Sequence, residues 1–288
     1  ENIMIMDEFI VKNIINNRKN LKYKYPQFFQ PEIQPFINEE WFQKYEAKEE
    51  EEDDDDEKEE IKLVEELKKE LPNNFHEKRK IGENDDYICF LIQKDSIEDF
   101  ITSINKNPFS VNSTINSSIY ETNKFLLKKE KITLIEYAVF FGSTQIFNYL
   151  RKNGAELKSS LWIYALHGQS EEIIYFLEDN KILPNKEEEG DEYDDNKISF
   201  EKIFNESIKC HHIDIANYIQ NNYLQNNNDQ SNNRLINSLK YYNFLFIEES
   251  TKYEPLFYCL CKYDYYLLAA IFSKNTEINI NLGYILYI

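Results

Sequence analysis

The stretch Thr133-Leu134-Ile135-Glu136-Tyr137-Ala138 decides the fold, because the segment that it opens recurs along this 288-residue chain. The segment continues through Gly142, Ile146 and Leu150 and closes with Gly154-Ala155-Glu156. One later copy has Ser207, His211, Ile215 and Ile219 in the places of Ala138, Gly142, Ile146 and Leu150. Another has Cys259 for Ala138, Leu267 for Ile146, Ile271 for Leu150 and Asn275 for Gly154. Repetition at this scale predicts a solenoid of stacked repeats.

Each unit is expected to consist of two helices. The first has an apolar face, because its small and apolar residues follow the spacing i, i+3, i+4, i+7. These residues are Ile135, Ala138, Val139 and Gly142. Gly142 is expected to form the turn between the helices, and Gly154 to end the second helix in a left-handed conformation that is costly for residues with a Cβ. A unit of this kind hides its apolar side only against the next unit.

The other units are placed by the same pattern. A degenerate first pair covers 85–107, and regular units follow at 131–154, 161–177, 200–221, 235–246 and 255–275. The residues equivalent to Ala138 are predicted to be Ala165, Ser207, Ser238 and Cys259. Gly168 is assigned to the turn of its unit, and Trp162 to the core. The predicted fold is therefore an all-α helical solenoid with degenerate repeats and an irregular helical N-terminal region.

Three regions are expected along the chain: an irregular N-terminal segment over 1–45, an acidic linker and helix over 46–80, and the array over 81–288. The last unit ends where another helix is expected, which suggests an array cut short at its C-terminus. Within the linker, Ile61, Val64, Leu67 and Leu71 form one apolar stripe, which predicts a helix over 57–71. The acidic run before it, 49–56, repels itself and is expected to fray.

The formal net charge of -19 is concentrated in two runs. Residues 46–60 contribute -10 and residues 186–195 contribute -6, so the rest of the chain is nearly neutral. Such a body lacks the basic surface that phosphate neutralisation requires, which argues against nucleic-acid partners. No stretch approaches the ~20 apolar residues of a membrane span, so no membrane association is expected. The four scattered cysteines indicate a reduced environment, and we predict a cytoplasmic protein, with the nucleus as an open alternative.

These residues resemble ankyrin repeats, whose first-helix signature is Thr-Pro-Leu-His-x-Ala and whose unit ends in Gly-Ala-Asp. Thr133, Ile135 and Ala138 match the signature, with Leu134 in the place of proline and Glu136 in the place of histidine. The string Pro255-Leu256 matches its proline and leucine, and Gly154-Ala155-Glu156 is close to the closing motif.

The chain also resembles, over about 20–280, a large protist group of ankyrin-repeat proteins that carry a domain of unknown function. The similar strings are Lys80-Ile81-Gly82-Glu83-Asn84-Asp85, Ile135-Glu136-Tyr137-Ala138 through Phe141-Gly142-Ser143, Ser160-Leu161-Trp162 through His167-Gly168, and Glu206-Ser207-Ile208-Lys209-Cys210-His211-His212. The resemblance implies a helical interaction module without an assigned reaction.

The one dense cluster of potential metal ligands in the sequence is Cys210-His211-His212. Zinc needs about four ligands, and no second cluster has suitable spacing. His211 falls at the position of Gly142, and His167 precedes Gly168, so a turn explains both better than a metal. The acidic run lacks the order of a calcium loop, and glycine-rich nucleotide motifs and a Gly-x-Ser-x-Gly elbow are absent. We therefore predict no enzyme, no catalytic residues, no metal and no cofactor.

The residue before each Ala138-like position faces the concave groove in an ankyrin stack. In this chain those residues are Tyr137, Tyr164, Glu206, Asn237 and Tyr258. Tyrosines are common interface anchors, so the three rings are predicted to line a partner-binding groove, the alternative being that they pack on neighbouring repeats. The predicted function is a monomeric, non-catalytic scaffold that binds a protein partner. Two alternatives are a spacer that self-associates through the helix at 57–71 and an enzyme with an unrecognised site.

Overall fold

The computed structural model describes residues 28–36, 70–106, 110–129, 131–184, 198–224, 231–246 and 253–275. Within these ranges every regular element is a helix, and the β structure is limited to an isolated bridge between Thr114 and Thr133. The predicted all-α class is thus confirmed for the described residues. The two acidic runs and most of the helix predicted at 57–71 lie outside them. The last two residues of that predicted helix, Glu70 and Leu71, are described and are not helical.

The chain divides into two compact units, Glu1–Leu134 and Ile135–Ile288. The described helices of the first unit are α1 Gln30–Ile33, with a 3-10 turn at Gln34–Phe36, α2 Phe75–Ile81, α3 Tyr87–Gln93, α4 Ile97–Lys106 and α5 Lys124–Leu127. The predicted degenerate pair at 85–107 corresponds to α3 and α4, which pack against each other. This pair belongs to the first unit and the remaining pairs to the second.

In the first unit, the string Lys80-Ile81-Gly82-Glu83-Asn84-Asp85 connects helix α2 to the segment before α5. Gly82 ends α2 with a φ of 71°, and its carbonyl oxygen accepts hydrogen bonds from the amide and the hydroxyl of Thr122. The buried Asn84 side chain donates to the carbonyl oxygen of Asn116 at 2.7 Å. The distinctive residues of this string therefore hold two segments together and have a structural role.

The second unit begins within α6 Leu134–Phe140 and continues in helix pairs. The further helices are α7 Thr144–Lys152, α8 Leu161–Gly168, α9 Glu171–Asp179, α10 Phe200–Lys209, α11 Ile213–Tyr223, α12 Ser231–Lys240, a 3-10 turn at Phe244–Phe246, α13 Tyr253–Lys262 and α14 Tyr266–Asn275. Helix α8 packs on α10, α10 on α12, and α12 on α13. The first helices of successive pairs thus contact one another in the order of the chain.

One turn geometry recurs between the two helices of a pair. The joining residue has a positive φ in each case, and these residues are Asp95, Gly142, Gln169, His211, Tyr242 and Asp264. In five of the pairs the next residue donates its amide to the carbonyl five positions back, as from Ser143 to Ala138 at 2.8 Å and from His212 to Ser207 at 2.9 Å. This bond closes the C-terminus of the first helix in a Schellman-type turn. The predicted turn positions of Gly142 and His211 are confirmed.

The turn residue of the pair formed by α8 and α9 differs from the prediction. Gly168 is the last residue of α8, and the left-handed residue is Gln169, with a φ of 49°. A Cβ on Gly168 would stand 2.1 Å from the carbonyl oxygen of Val139, so this glycine is required by the close approach of two helices. In both pairs the turn residue therefore lies four positions after the small residue: Gly142 follows Ala138, and Gln169 follows Ala165.

The last pair is also shifted by one residue from its predicted alignment. The amide of Tyr265 donates to Leu260 at 2.8 Å, which makes Leu260, and not Cys259, the equivalent of Ala138. Leu267 and Ile271, predicted to be buried like Ile146 and Leu150, are 82% and 57% exposed. Ala269 is the buried residue among the described side chains of α14.

The core of the second unit is built from large side chains that contact the next pair. Trp162 is buried as predicted, its ring lies 5.2 Å from that of Phe200, and its indole nitrogen donates to the carbonyl oxygen of Ile182. Between α7 and α9, the Phe147 and Phe176 rings meet edge to face at 5.4 Å. Among the described helices, none has both the length and the apolar character needed to cross a bilayer.

Candidate functional site

Two of the three tyrosines predicted to line a groove are buried. Tyr137 has no exposed surface and Tyr164 is 2% exposed, so the hypothesis that their rings contact a partner is wrong. The Tyr137 ring packs on Phe141 with centroids 4.8 Å apart. Tyr164 lies in α8, whose first six residues are all buried, and burial raises the pKa of its phenol. Both rings instead belong to the buried core of the second unit.

The other three predicted groove residues have separate environments. Tyr258 is 44% exposed, with the Lys262 ammonium 5.7 Å from its ring centroid. Asn237 is half-buried and donates to the side chain of Asn205 at 2.9 Å. Glu206 is half-buried and pairs with Lys209. Since the last pair is shifted by one residue, Tyr258 is also not the equivalent of Tyr137, and the five residues do not share one repeat position.

An exposed apolar surface lies on the last two helix pairs. Its large exposed residues are Tyr242, Phe244, Leu245, Tyr258, Tyr266, Leu267, Leu268 and Ile271, and we refer to them as the C-terminal apolar surface. The rings of Tyr242 and Phe244 both contact Tyr265, which joins the 3-10 turn to the start of α14. Beneath it lies a small core of Leu235, Leu239, Cys259, Leu260 and Ala269. Exposed apolar side chains grouped on neighbouring helices make this surface a candidate for an interaction site.

Three side chains with metal-binding atoms meet between α8 and the C-terminal end of α10. They are His167, Glu206 and Cys210, and one ligand atom from each lies within 4.8 Å of the other two. The Cys210 sulfur is 3.9 Å from Nδ1 of His167 and 3.9 Å from Oε1 of Glu206. Nε2 of His167 is 3.7 Å from the same carboxylate oxygen. We refer to these three residues as the His-Glu-Cys cluster.

The surroundings orient the cluster. The Phe140 ring lies against that of His167, with centroids 4.9 Å apart. His212 has Nδ1 at 2.9 Å from the carbonyl oxygen of Leu166 and Nε2 at 3.0 Å from the Gln169 amide nitrogen. Both nitrogens of His212 are therefore occupied, and its Nδ1 carries the proton. Lys209 donates to Oε1 of Glu206 at 2.6 Å, which supplies the carboxylate with a counter-charge.

Burial keeps the histidine and the cysteine of the cluster uncharged. It lowers the pKa of His167 to about 4, opposed by the charge of Glu206, so the imidazole is neutral at pH 7 and offers a lone pair. Burial and then the Glu206 charge raise the pKa of Cys210 to about 11. The thiol consequently retains its proton, and Cys210 is not an activated nucleophile.

The sequence analysis considered Cys210 and His167 separately and missed the cluster. His211 and His212, which adjoin Cys210 in sequence, have other roles: His211 forms the turn with a φ of 59° and is exposed. Glu206 and Cys210 are four residues apart, which places them on one face of α10. The available signal was that His167 and Cys210 both end the first helix of neighbouring units. The prediction that no metal is bound rested on ligands adjacent in sequence, which this arrangement does not need.

Comparisons of the chain with protein-family models, with curated proteins and with solved structures found no match. The functional interpretation therefore rests on the two features of the second unit, the C-terminal apolar surface and the His-Glu-Cys cluster.

Proposed function

We propose that this protein is a non-catalytic, ankyrin-type helical module that binds another protein. Two observations support the architecture: successive first helices contact in chain order, and one left-handed turn recurs between the helices of each pair. Stacked pairs of this kind produce long surfaces whose usual role is to hold a partner. The resemblance of Thr133, Ile135 and Ala138 to the ankyrin signature points the same way.

The C-terminal apolar surface is the observation that carries the proposal. The exposed fractions of Leu267, Ile271 and Leu245 are 82%, 57% and 70%. Burying one such side chain fully is worth roughly 1.5–3 kcal/mol, so a partner that covers several gains substantial affinity. The exposed tyrosines add contact area with a polar tip, which is typical of interface anchors. We therefore assign the proposed binding surface to the last two pairs, in contrast to the groove expected from the sequence.

The partner is expected to be a protein with an apolar patch and a basic margin. Most of the net charge of -19 lies in the two acidic runs, and the long-range attraction from these runs favours cationic surfaces and accelerates their association. An apolar helix face flanked by lysine or arginine fits both requirements, because amphipathic helices bind apolar surfaces such as the one on α13 and α14, which pack against each other.

The test is quantitative affinity capture with the full chain and two variants. One carries Leu267→Glu with Ile271→Glu on α14, and the matched control carries Tyr175→Glu, a 53% exposed aromatic on α9. We expect at least one protein to be recovered by the wild type and the control and to fall about tenfold or more with the α14 variant, since charge burial opposes binding. Binding of that protein is then measured with purified components, and circular dichroism establishes that both variants fold.

Equal recovery of every captured protein by the wild type and the α14 variant would overturn the proposal. A dimer in solution that the α14 variant converts to a monomer would instead show that a second copy of this chain occupies the C-terminal apolar surface. Light scattering on the purified chain in solution gives its molar mass and so distinguishes binding of a second copy from binding of a different protein.

A further inference from the structure

We propose that His167, Glu206 and Cys210 form a binding site for a zinc-type divalent ion between α8 and α10. The inference goes beyond protein binding and does not depend on it. It rests on geometry: three different ligand types from two neighbouring helix pairs converge, and their ligand atoms lie within 4.8 Å of one another. Imidazole nitrogen, carboxylate oxygen and thiolate sulfur together form a ligand set typical of Zn²⁺.

The spacing of the three residues is close to that of a filled site. Zinc lies about 2.3 Å from sulfur and about 2.0–2.2 Å from nitrogen or oxygen, so tetrahedral ligand atoms stand roughly 3.4–3.6 Å apart. The nearest contacts in the cluster are 3.7 Å for His167 with Glu206 and 3.9 Å for Cys210 with each of the others. The contacts of His167 use both ring nitrogens, so the ring must turn until one nitrogen faces the ion. The ligand atoms, which lie within 4.8 Å of one another, must also move closer together.

Zinc binding would release a proton and exchange a counter-ion at the cluster. A neutral imidazole donates a lone pair to the ion without losing a proton. Forming the zinc–sulfur bond breaks the S–H bond of Cys210 and releases one proton to solvent. Glu206 exchanges its pairing with Lys209 for the ion, and the 31% exposed Lys209 side chain can turn to water. The metal ion thus replaces the Lys209 ammonium as the counter-charge of Glu206.

Residues around the site would act as its outer shell. Phe140 fixes the plane of His167, and the two bonds of His212 hold the end of α8 against the start of α11. With three protein ligands, a fourth tetrahedral position is left for water or for a group from a partner. The site bridges two pairs, so an ion that binds the folded arrangement more tightly than the unfolded chain would stabilise the folded protein.

The test is calorimetric titration of the full chain with zinc chloride, in the presence of millimolar Ca²⁺ and Mg²⁺ to saturate the acidic runs. We expect one high-affinity ion per chain. Cys210→Ser, His167→Gln and Glu206→Gln should each weaken binding about tenfold or more, as loss of a ligand or its support does. The matched controls, Cys261→Ser and His211→Asn, should bind as the wild type does. Lys209→Gln should strengthen binding several-fold, because the competing ammonium is removed.

A second measurement keeps the result clear if a variant folds poorly. Co²⁺ bound by a thiolate gives a charge-transfer absorption, which should appear with the wild type and with Cys261→Ser and be absent with Cys210→Ser. Circular dichroism of the metal-free proteins reports folding. Absence of zinc binding by the folded wild type, or binding that Cys210→Ser and His167→Gln leave unchanged, would overturn the proposal and assign the cluster to the Lys209–Glu206 ion pair alone.

Discussion

Gly142 and Gly168 meet backbone to backbone between α6 and α8. A Cβ on Gly168 would stand 2.7 Å from the amide nitrogen of Gly142 and 2.1 Å from the carbonyl oxygen of Val139. A Cβ on Gly142 would stand 2.6 Å from the carbonyl oxygen of Gly168. All of these are backbone atoms, which no side-chain rotation can move away. The two glycines therefore set the separation between the first helices of two neighbouring pairs.

The first prediction compares two glycines. Gly168→Ala should lower the free energy of unfolding by about 3 kcal/mol, at the upper end of overpacking costs, because two helices must separate. Gly154→Ala should cost only about 1 kcal/mol, since its φ is 88° but nothing lies within 4 Å of the added Cβ. Urea unfolding measures both. Equal losses of unfolding free energy would contradict the close approach of the two helices at Gly168. They would mean that both glycines are needed only for their backbone conformation.

The sequence was sufficient for features that depend on local chemistry. The left-handed turn at Gly142 follows from the spacing of apolar residues on either side, and the same spacing located the turn at His211, where a glycine is lacking. In the pair formed by α8 and α9, the turn was predicted at Gly168 because this glycine lies next to the residue that makes the turn. There the small residue serves helix approach, and Gln169 makes the turn.

Features that depend on contacts between pairs were not predictable in the same way. The outward orientation of Tyr137 and Tyr164 was inferred from their position in an ideal repeat, but both rings are buried. The meeting of His167 with Cys210 depends on how α8 and α10 align, which no property of either helix alone determines. In the last pair, a shift of one residue in the repeat alignment was enough to give Tyr258 the wrong repeat position.

The second prediction separates packing tyrosines from surface tyrosines. Tyr137→Ala and Tyr164→Ala should each cost about 3–5 kcal/mol of stability, as deletion of a buried aromatic ring does. Tyr258→Ala, which removes a 44% exposed ring, should cost less than about 1 kcal/mol. Thermal and urea unfolding provide the measurement. If the Tyr164→Ala variant were as stable as the wild type, the interpretation of Tyr164 as a groove residue would be restored.

The third prediction concerns two serines at equivalent positions of α10 and α12, both fully buried. Ser207 donates its hydroxyl to the carbonyl oxygen of Phe204 at 2.7 Å, whereas the Ser238 hydroxyl has no hydrogen-bond partner within the described part of the chain. Ser238→Ala should therefore raise stability by about 1 kcal/mol, and Ser207→Ala should lower it by about as much. Opposite signs in urea unfolding are the expected outcome. Destabilisation by both changes would show that Ser238 is satisfied.

The fourth prediction concerns the buried ion pair of Arg234 and Glu201, which joins α10 to α12. The guanidinium donates twice, at 3.2 and 3.0 Å, and each side chain is 7% exposed. Removing one charge, by Glu201→Leu or Arg234→Met, should cost about 3–5 kcal/mol because the other charge remains buried. The double variant Glu201→Leu with Arg234→Met should recover most of that loss. A double-mutant cycle measures the coupling, and additive losses would mean that water already screens the pair.

The fifth prediction is a pH dependence in the first unit. Asp85 accepts hydrogen bonds from Lys78 and from the Ser118 hydroxyl, each at 2.7 Å. Burial raises the pKa of Asp85, but these two bonds and the Lys78 charge outweigh it and hold that pKa below its usual value of 3.8. Near that value the unfolded chain binds more protons than the folded one. The contribution of Asp85 is thus present above pH 3.8 and is lost as the pH falls through the folded-state pKa.

Asp85→Asn should consequently lower the free energy of unfolding at pH 7, by less than about 1 kcal/mol because the pair is partly exposed. The difference between wild type and variant should shrink below pH 3.8 and vanish in stronger acid, where the wild-type carboxyl is also neutral. Urea unfolding from pH 7 to pH 3 measures that difference, with Lys78→Met as the partner variant. A difference that persists unchanged in acid would show that the Asp85 hydrogen bonds act through shape and not through charge.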